Sequence, residues 1–295
     1  MSLDYSAVPR LPDGRTALEA IESVAARSRT VRIPMGNGGT MMWHVFGEGS
    51  GKPALLLFHG GSGSWIHWIR NVLPLAQHYT VYAADLPGLG DSDPPGDVRD
   101  IWSVTHCVKT SVEALLPDGR PFSLTGFSFG GMVSGHLATL MPERVRRIVF
   151  VGAGGLKATR KPTEKLRKLL PSMAPQVLAD EARRNLELLM LHDPAKIDGV
   201  AIYMQILNTT RAKTRSRDMG IAGVLSTVLP QVETQYTGIW GEFDSTTYPY
   251  IQERIDLFTA LQPGFRMHVI PGAGHWVAYE AAEAFNAKLL EVLAE

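Results

Sequence analysis

The sequence predicts an α/β protein with a mostly parallel sheet and helices on both faces. Short apolar runs of strand length alternate with longer helical stretches, which is typical of parallel strands joined by helices. Polar, turn-rich loops follow several of these runs directly. The chain has 295 residues, of which 45% are hydrophobic and 20% charged, so it can bury a sizeable core. Ligands of such sheets bind beyond the carboxyl ends of the strands, where we expect the functional site.

The first half of the chain supplies the hairpin and the first central strands. Gly36-Asn37-Gly38-Gly39 is a hairpin signal between two short alternating runs. The continuous apolar run 54–58 indicates a strand that is buried on both faces. The expected elements are, in order, a helix over 16–26, strands over 30–34, 40–46 and 54–58, a helix over 65–77, a strand over 79–84 and a helix over 101–116.

The hexapeptide Gly126-Phe127-Ser128-Phe129-Gly130-Gly131 lies between an apolar run, 122–125, and a helix-like stretch, 130–141. A strand, a tight turn and a helix form the setting of a nucleophile elbow, G-x-S-x-G. The turn holds its serine in a strained conformation, and the flanking glycines let strand and helix pass closely. Ser128 is therefore the predicted nucleophile. The pentapeptide alone leaves open a Gly-rich turn with a surface serine.

The pattern changes between residues 156 and 226, where helical segments broken by prolines replace strands. We therefore predict one core domain from residues 1–155 and 227–295, with a helical insert at 156–226. From Lys157 to Asp218 the insert holds 13 Lys/Arg and 7 Asp/Glu. This excess charge indicates either solvated helix faces or a mouth that attracts anionic substrates. The other expected elements are strands over 147–152, 234–240 and 265–270 and helices over 250–261 and 278–293.

Composition limits the classes of function. The formal net charge is zero, with 29 basic and 29 acidic residues, so nothing global indicates nucleic-acid binding. Cys107 is the only cysteine, which excludes an intrachain disulfide and a cysteine metal cluster. No apolar signal region begins the chain and no run reaches membrane-spanning length. We expect a cytoplasmic protein without a membrane partner.

Two further residues complete a predicted catalytic triad with Ser128. A serine needs a general base at neutral pH, and a histidine base needs an acid that fixes its tautomer. Asp244 and His275 each follow a late strand, which places them on the sheet edge of Ser128. The order Ser, Asp, His is the one found in the α/β-hydrolase fold. Glu242 is the competing acid in the same loop.

An oxyanion hole needs two N–H donors that point at one oxygen. The N–H of Phe129, the residue after the serine, is one predicted donor. The loop His59-Gly60-Gly61 follows a central strand, and Gly61 is predicted to supply the other. A plain tight turn is the alternative for this loop.

Several motifs together resemble the α/β-hydrolase superfamily. They are His59-Gly60-Gly61, Asp85-x-x-Gly88-x-Gly90-x-Ser92, Gly126-x-Ser128-x-Gly130-Gly131, Gly241-x-x-Asp244 and Gly274-His275. The resemblance implies an α/β-hydrolase fold and covers the chain except the insert, which falls where that family carries a helical cap. A serine nucleophile disfavours the branches in which an aspartate attacks.

A finer resemblance is to the meta-cleavage-product hydrolases, which cut C–C bonds in ring-opened aromatics. It rests on the stretches 59–71, Met190-Leu191-His192-Asp193-Pro194 and Gly274-His275-Trp276 to Phe285-Asn286. That group often has Asn before the nucleophile, in contact with the acid end of the substrate, whereas this chain has Phe127. Phe127 and Trp276 are expected substrate-binding residues, and Arg211 or Arg215 could bind a carboxylate instead of the asparagine.

The sequence thus predicts a serine hydrolase that acts on a small carboxylic ester or lactone through an acyl-enzyme. A C–C bond hydrolase is the alternative reaction, and a non-catalytic ligand receptor is the alternative class. The expected partner is a small-molecule substrate, without nucleic acid, metal or organic cofactor. Whether the chain forms a homo-oligomer is left open.

Overall fold

The structure is a computed structural model that describes residues 3–49, 51–161 and 164–295. Its centre is an eight-stranded sheet with the strand order β1-β2-β4-β3-β5-β6-β7-β8. The strands are β1 (Arg29–Pro34), β2 (Thr40–Phe46), β3 (Ala54–Phe58), β4 (Thr80–Ala84), β5 (Phe122–Phe127), β6 (Val145–Val151), β7 (Tyr236–Gly241) and β8 (Met267–Ile270). β2 pairs antiparallel with β1 and β4, and all other neighbours are parallel. The predicted fold class is confirmed.

Helices cover both faces of this sheet. They are α1 (Ala17–Ala25), α2 (Val72–Leu75), α3 (Ile101–Leu115), α4 (Phe129–Leu140), α5 (Pro175–Leu189), α6 (Gly199–Arg211), α7 (Ser216–Ala222), α8 (Val224–Val228), α9 (Ile251–Leu261), α10 (Val277–Glu280) and α11 (Ala282–Ala294). In the described ranges, no helix is both long and apolar enough to cross a membrane.

The central strand β3 shows why the core has two halves. Leu55 and Leu57 pack into one apolar cluster, while Leu56 and Phe58 pack into the cluster on the opposite face of the sheet. All four side chains are fully buried. Because successive side chains point to opposite faces, a strand covered by helices on both sides must be apolar throughout. The run 54–58 meets that requirement.

Two predicted helices differ from the structure. The stretch 65–77 forms a single 3₁₀ turn, Trp65–Trp68, and the short α2. Between them Asn71 is fully buried, and its amide donates to the Ala278 carbonyl at 2.9 Å and to Asn286 Oδ1 at 2.8 Å. The predicted helix 278–293 is divided into α10 and α11 at Ala281, whose φ of −121° is not helical. Tertiary packing overrides the local helical pattern in both places.

Residues 156–226, here called the insert, lie between β6 and β7. Within the described part of this segment there are helices and no strand. The helix α6 packs against the N-terminal segment, where the rings of Tyr5 and Tyr203 are 4.2 Å apart. Arg70 pairs with Asp198, the N-cap residue of α6, at 2.7 Å. These contacts attach the insert to the rest of the chain.

Candidate active site

Ser128 occupies the sharp turn between β5 and α4. Its φ of 50° and ψ of −106° are strained for a residue with a side chain. The Ser128 N–H donates to the Val151 carbonyl at 2.8 Å, which anchors the turn to β6. A Cβ at Gly130 would lie only 2.1 Å from the Phe58 carbonyl oxygen. Only glycine therefore allows α4 to start so close to β3.

His275 lies between Ser128 and Asp244. Its Nε2 is 3.1 Å from Ser128 Oγ, and its Nδ1 is 2.8 Å from Asp244 Oδ2. Asp244 follows β7 and His275 follows β8, so the carboxyl ends of parallel strands bring the three side chains together. In the neutral tautomer with a proton on Nδ1, His275 donates to Asp244 and accepts from the Ser128 hydroxyl. This arrangement can remove a proton from the serine.

Asp244 is fully buried and fully hydrogen-bonded. The N–H and the hydroxyl of Thr246 both donate to Asp244 Oδ1 at 2.8 Å, while Oδ2 faces His275. Burial alone would raise the pKa of Asp244. The attraction of His275 and the hydrogen bonds from His275 and Thr246 outweigh it and lower that pKa. Asp244 therefore remains ionised and can stabilise a positive charge on His275.

The competing acid Glu242 faces elsewhere. It is exposed, and its Oε2 accepts from the Gly272 N–H at 2.9 Å. Of the two acids in this loop, the structure brings Asp244 to His275 and leaves Glu242 at the surface.

Phe129 and Gly61 are the two residues whose N–H groups are predicted to form an oxyanion hole. Phe129 is the first residue of α4, so its N–H has no partner within the helix. The Gly60 N–H donates to His67 Nδ1 at 3.1 Å and is thereby engaged. Gly61 follows, and a Cβ at Gly61 would lie 2.3 Å from Ser216 Oγ and 3.8 Å from the Phe129 Cβ. Gly61 and Phe129 both line the cavity that contains Ser128.

The other two histidines near this loop are neutral. Burial lowers the pKa of His59 to about 4, and its Nε2 accepts from the Leu86 N–H at 2.9 Å. Burial, together with repulsion from His59 and His275, lowers the pKa of His67 well below the usual value. Neither side chain competes with His275 as a cation beside Ser128.

Ser128 and His275 open into a cavity of about 400 Å³ between the sheet edge and the insert. Its wall includes residues of both parts of the chain: Gly61, Phe127, Phe129, Met132, Arg160, Leu188, Leu189, Met190, Gln205, Arg217 and Ile221 are among them. A mostly apolar cavity with a few polar groups is the usual form of a small-molecule site.

The predicted substrate-binding residues divide into two groups. Phe127 lines the cavity, and its ring centroid is 4.9 Å from that of His275. Trp276 does not line it in the described structure, because its indole N–H donates to the His67 carbonyl at 2.9 Å and its ring is fully buried. Arg211 and Arg215 are also absent from the described lining. Arg211 pairs with Asp91, and Arg215 is exposed with its N–H bound to the Val98 carbonyl.

Other basic residues of the insert line the cavity, and residue-by-residue reading of the sequence missed them. They are Arg160, Lys161, Arg167 and Arg217. Arg167 is near Glu181 at 3.8 Å, and the lining residue Glu164 is bound by Arg184 at 2.5 Å. Partial burial lowers the pKa of Arg160; Asp244 opposes this shift, and Arg217 adds to it by repulsion. The insert's excess charge was visible in the sequence, but which cations face inward was not.

Comparisons with known proteins agree with this architecture. Residues 55–288 match the family model described as the alpha/beta hydrolase family. A 2-hydroxy-6-oxononadienedioate/2-hydroxy-6-oxononatrienedioate hydrolase of Escherichia coli strain K12 is 27% identical, with 92% of this chain and 98% of the relative covered. A 2-hydroxy-6-oxo-6-phenylhexa-2,4-dienoate hydrolase of Burkholderia cepacia is 27% identical over 85% of this chain and 91% of that protein.

A carboxylesterase from Bacillus subtilis has a similar fold. Its TM-score is 0.70 with 18% sequence identity, and the match covers 94% of this chain and 96% of the esterase. The family model spans most of the sequence and confirms the predicted superfamily. The two relatives confirm the resemblance to meta-cleavage-product hydrolases. The chain belongs to the alpha/beta hydrolase family and is an enzyme.

Proposed function

We propose that the protein hydrolyses small carboxylic esters or lactones through an acyl-enzyme on Ser128. One observation carries the proposal: His275 is hydrogen-bonded to both Ser128 Oγ and Asp244 Oδ2 at the wall of the substrate-sized cavity. The three groups are already arranged for proton transfer before any substrate binds.

In the proposed reaction, His275 Nε2 takes the hydroxyl proton while Ser128 Oγ attacks the acyl carbon. The carbonyl oxygen becomes an oxyanion, which the N–H groups of Phe129 and Gly61 stabilise. Asp244 stabilises the imidazolium ion. His275 then protonates the leaving alcohol as the C–O bond breaks, and a water molecule activated by His275 releases the acid. No step calls on a metal or an organic cofactor.

We further propose that the insert is a cap, with the core formed by residues 1–155 and 227–295 and the cap by 156–226. Leu188, Leu189, Met190 and Ile221 contribute apolar surface to the cavity, whereas the nucleophile, base and acid come from the core. Methionine adapts its shape readily, so such a wall suits a range of apolar groups. The cap would therefore determine which substrate enters and leave the chemistry to the core.

Hydrolysis of a C–C bond is the second candidate, and it is favoured by the similarity to the two hydrolases from Escherichia coli and Burkholderia cepacia. When a C–C bond breaks, its electron pair moves into the conjugated part of the substrate, and polar groups of the enzyme must bind that part. Next to Ser128 this chain has Phe127, which is 1% exposed and packs against His67 and His275. A phenyl ring cannot hydrogen-bond an enol, so the residue next to Ser128 supports C–C cleavage less well than it supports ester hydrolysis. The alternative of a non-catalytic receptor is not retained, because the chain is an enzyme and its Ser128, His275 and Asp244 form an unbroken hydrogen-bonded chain.

A comparison of substrates on one enzyme preparation tests this choice. We expect kcat/KM for p-nitrophenyl butyrate or a simple lactone to exceed that for 2-hydroxy-6-oxo-6-phenylhexa-2,4-dienoate by about tenfold or more. The matched control is the Ser128→Ala variant, which should process none of them. A preference for the dienoate would replace the ester proposal by the C–C reaction, and turnover of none of these substrates would contradict both candidates.

We also propose that the cavity favours anionic substrates. Arg160 and Arg217 both line it, and no ion pair joins either of them to a carboxylate in the described part of the chain. Two neighbouring guanidinium groups repel each other, and a bound carboxylate would relieve that repulsion. These two residues take the role expected of Arg211 or Arg215.

Arg217→Ala is expected to raise KM for mono-p-nitrophenyl succinate by about fivefold, equivalent to ~1 kcal/mol, with little change in kcat. KM for the neutral butyrate should stay the same. Arg215→Ala is the matched control, because Arg215 is exposed and lies outside the described lining. The preference should weaken with salt, since exposed charges are screened beyond ~10 Å at 0.1 M. Equal KM values for the two esters at low salt would contradict the electrostatic role.

A further inference from the structure

Glu280, the last residue of α10, is a buried acid outside the Ser–His–Asp row. Its side chain is 7% exposed, and three backbone N–H groups donate to its carboxylate. Oε2 accepts from Gly274 at 2.6 Å and from His192 at 3.1 Å, and Oε1 accepts from Asp193 at 2.6 Å. A buried carboxylate is costly unless it is hydrogen-bonded in this way.

These donors come from two separate parts of the site. Gly274 immediately precedes His275, while His192 and Asp193 follow the stretch 188–190 that lines the cavity. One carboxylate thus joins the loop that carries the predicted base to the turn that ends a wall of the insert. A second hydrogen bond joins the same two segments, because the backbone N–H of Trp276 donates to the Met190 carbonyl at 2.7 Å.

Gly274 packs so closely against His192 and Glu280 that there is no room for a larger residue. A Cβ at Gly274 would lie 2.7 Å from the His192 nitrogen and 3.1 Å from Glu280 Oε2. The ring of His192 also stacks on Phe243, the neighbour of Asp244, with centroids 4.1 Å apart. The turn at His192 therefore touches both loops that supply the partners of Ser128.

We propose that Glu280 is a positioning residue that aligns His275 with Ser128 and couples this alignment to the seating of the insert. This inference rests on the proposed function. When the turn at 192–193 is in place, the carboxylate holds Gly274, and His275 Nε2 stays within reach of Ser128 Oγ. Loss of the carboxylate releases both segments together, and a small displacement of a catalytic group is enough to slow the reaction strongly.

Glu280→Gln tests the coupling at nearly constant size. Both Glu280 oxygens accept from N–H groups, so the glutamine NH₂ must face at least one N–H donor. At least one of the three hydrogen bonds to residue 280 is therefore lost. We expect kcat for p-nitrophenyl acetate to fall by about 10- to 100-fold, with KM changed less than about twofold because so small an ester barely touches the insert. Glu283→Gln is the matched control, an exposed acid on α11 that should leave kcat unchanged.

Amide hydrogen exchange gives a second measurement that needs no turnover. In Glu280→Gln, exchange should become faster both in residues 188–193 and in residues 271–277. In Glu283→Gln, exchange should not change in either segment. A kcat within twofold of the wild type, or unchanged exchange in either segment, would overturn the proposal. A fall in thermal stability without a change in kcat would show a structural role only and also overturn it.

The two proposals fail in different ways. A wild-type protein that hydrolyses no ester would contradict the proposed function. The positioning role of Glu280 would then be tested by amide hydrogen exchange and by the rate at which a fluorophosphonate labels Ser128. That labelling rate should be about 10-fold lower in Glu280→Gln. Equal labelling rates would overturn the positioning role.

Discussion

Replacing Ser128 with alanine is expected to lower kcat by about 10³-fold or more, because nucleophile and base act as one unit. Alanine keeps the turn small and removes only the hydroxyl, which lies 3.1 Å from His275 Nε2. Water held by His275 is then the best remaining nucleophile. The variant should retain the fold, the cavity and the binding of substrate, so that KM changes much less than kcat.

Ser245→Ala is the matched control for this substitution. Ser245 also lines the cavity, but its hydroxyl donates to the Leu189 carbonyl at 2.6 Å. We expect its kcat to remain within a few-fold of the wild type. If Ser128→Ala keeps a tenth of the wild-type rate, or if Ser245→Ala is the more damaging change, the nucleophile has been misassigned.

Asp244→Asn is expected to cost about 10²- to 10⁴-fold in kcat while leaving the fold intact. The geometry gives the reason. Thr246 donates twice to Oδ1, so the asparagine must keep its oxygen there and turn its NH₂ toward His275. Nδ1 then has to accept, the proton moves to Nε2, and His275 can no longer accept the proton of Ser128.

Glu242→Gln is the control, since Glu242 is exposed and its carboxylate binds the Gly272 N–H. Steady-state rates and the melting temperatures of both variants decide between the acids. If Glu242→Gln lowers kcat strongly and Asp244→Asn lowers it only slightly, then Glu242 and not Asp244 is the acid that acts with His275.

Much of the fold follows from local sequence patterns. The run 54–58 could be placed because a strand buried on both faces has to be apolar throughout. Ser128, Asp244 and His275 could be brought to one edge because parallel strands end together. The elbow can be recognised from the sequence because the close approach of α4 to β3 at Gly130 requires glycine.

Other features depend on contacts that local patterns do not contain. The helix expected over 65–77 is interrupted because buried Asn71 bonds to residues more than two hundred positions away. Trp276 is close to His275 in sequence, yet its indole is held by the His67 carbonyl. Arg211 and Arg160 are both basic residues of the insert, and only the folding of the insert determines that Arg211 meets Asp91 while Arg160 meets the cavity.

Trapping the acyl-enzyme tests the central claim most directly. The protein is mixed with p-nitrophenyl acetate, quenched in acid within milliseconds and digested, and the peptides are weighed by mass spectrometry. The proposed mechanism predicts one acetyl group on the peptide that contains Ser128, formed with the burst of p-nitrophenol and absent from Ser128→Ala. Turnover without an acetylated Ser128 peptide, or acetylation that persists in Ser128→Ala, would contradict it.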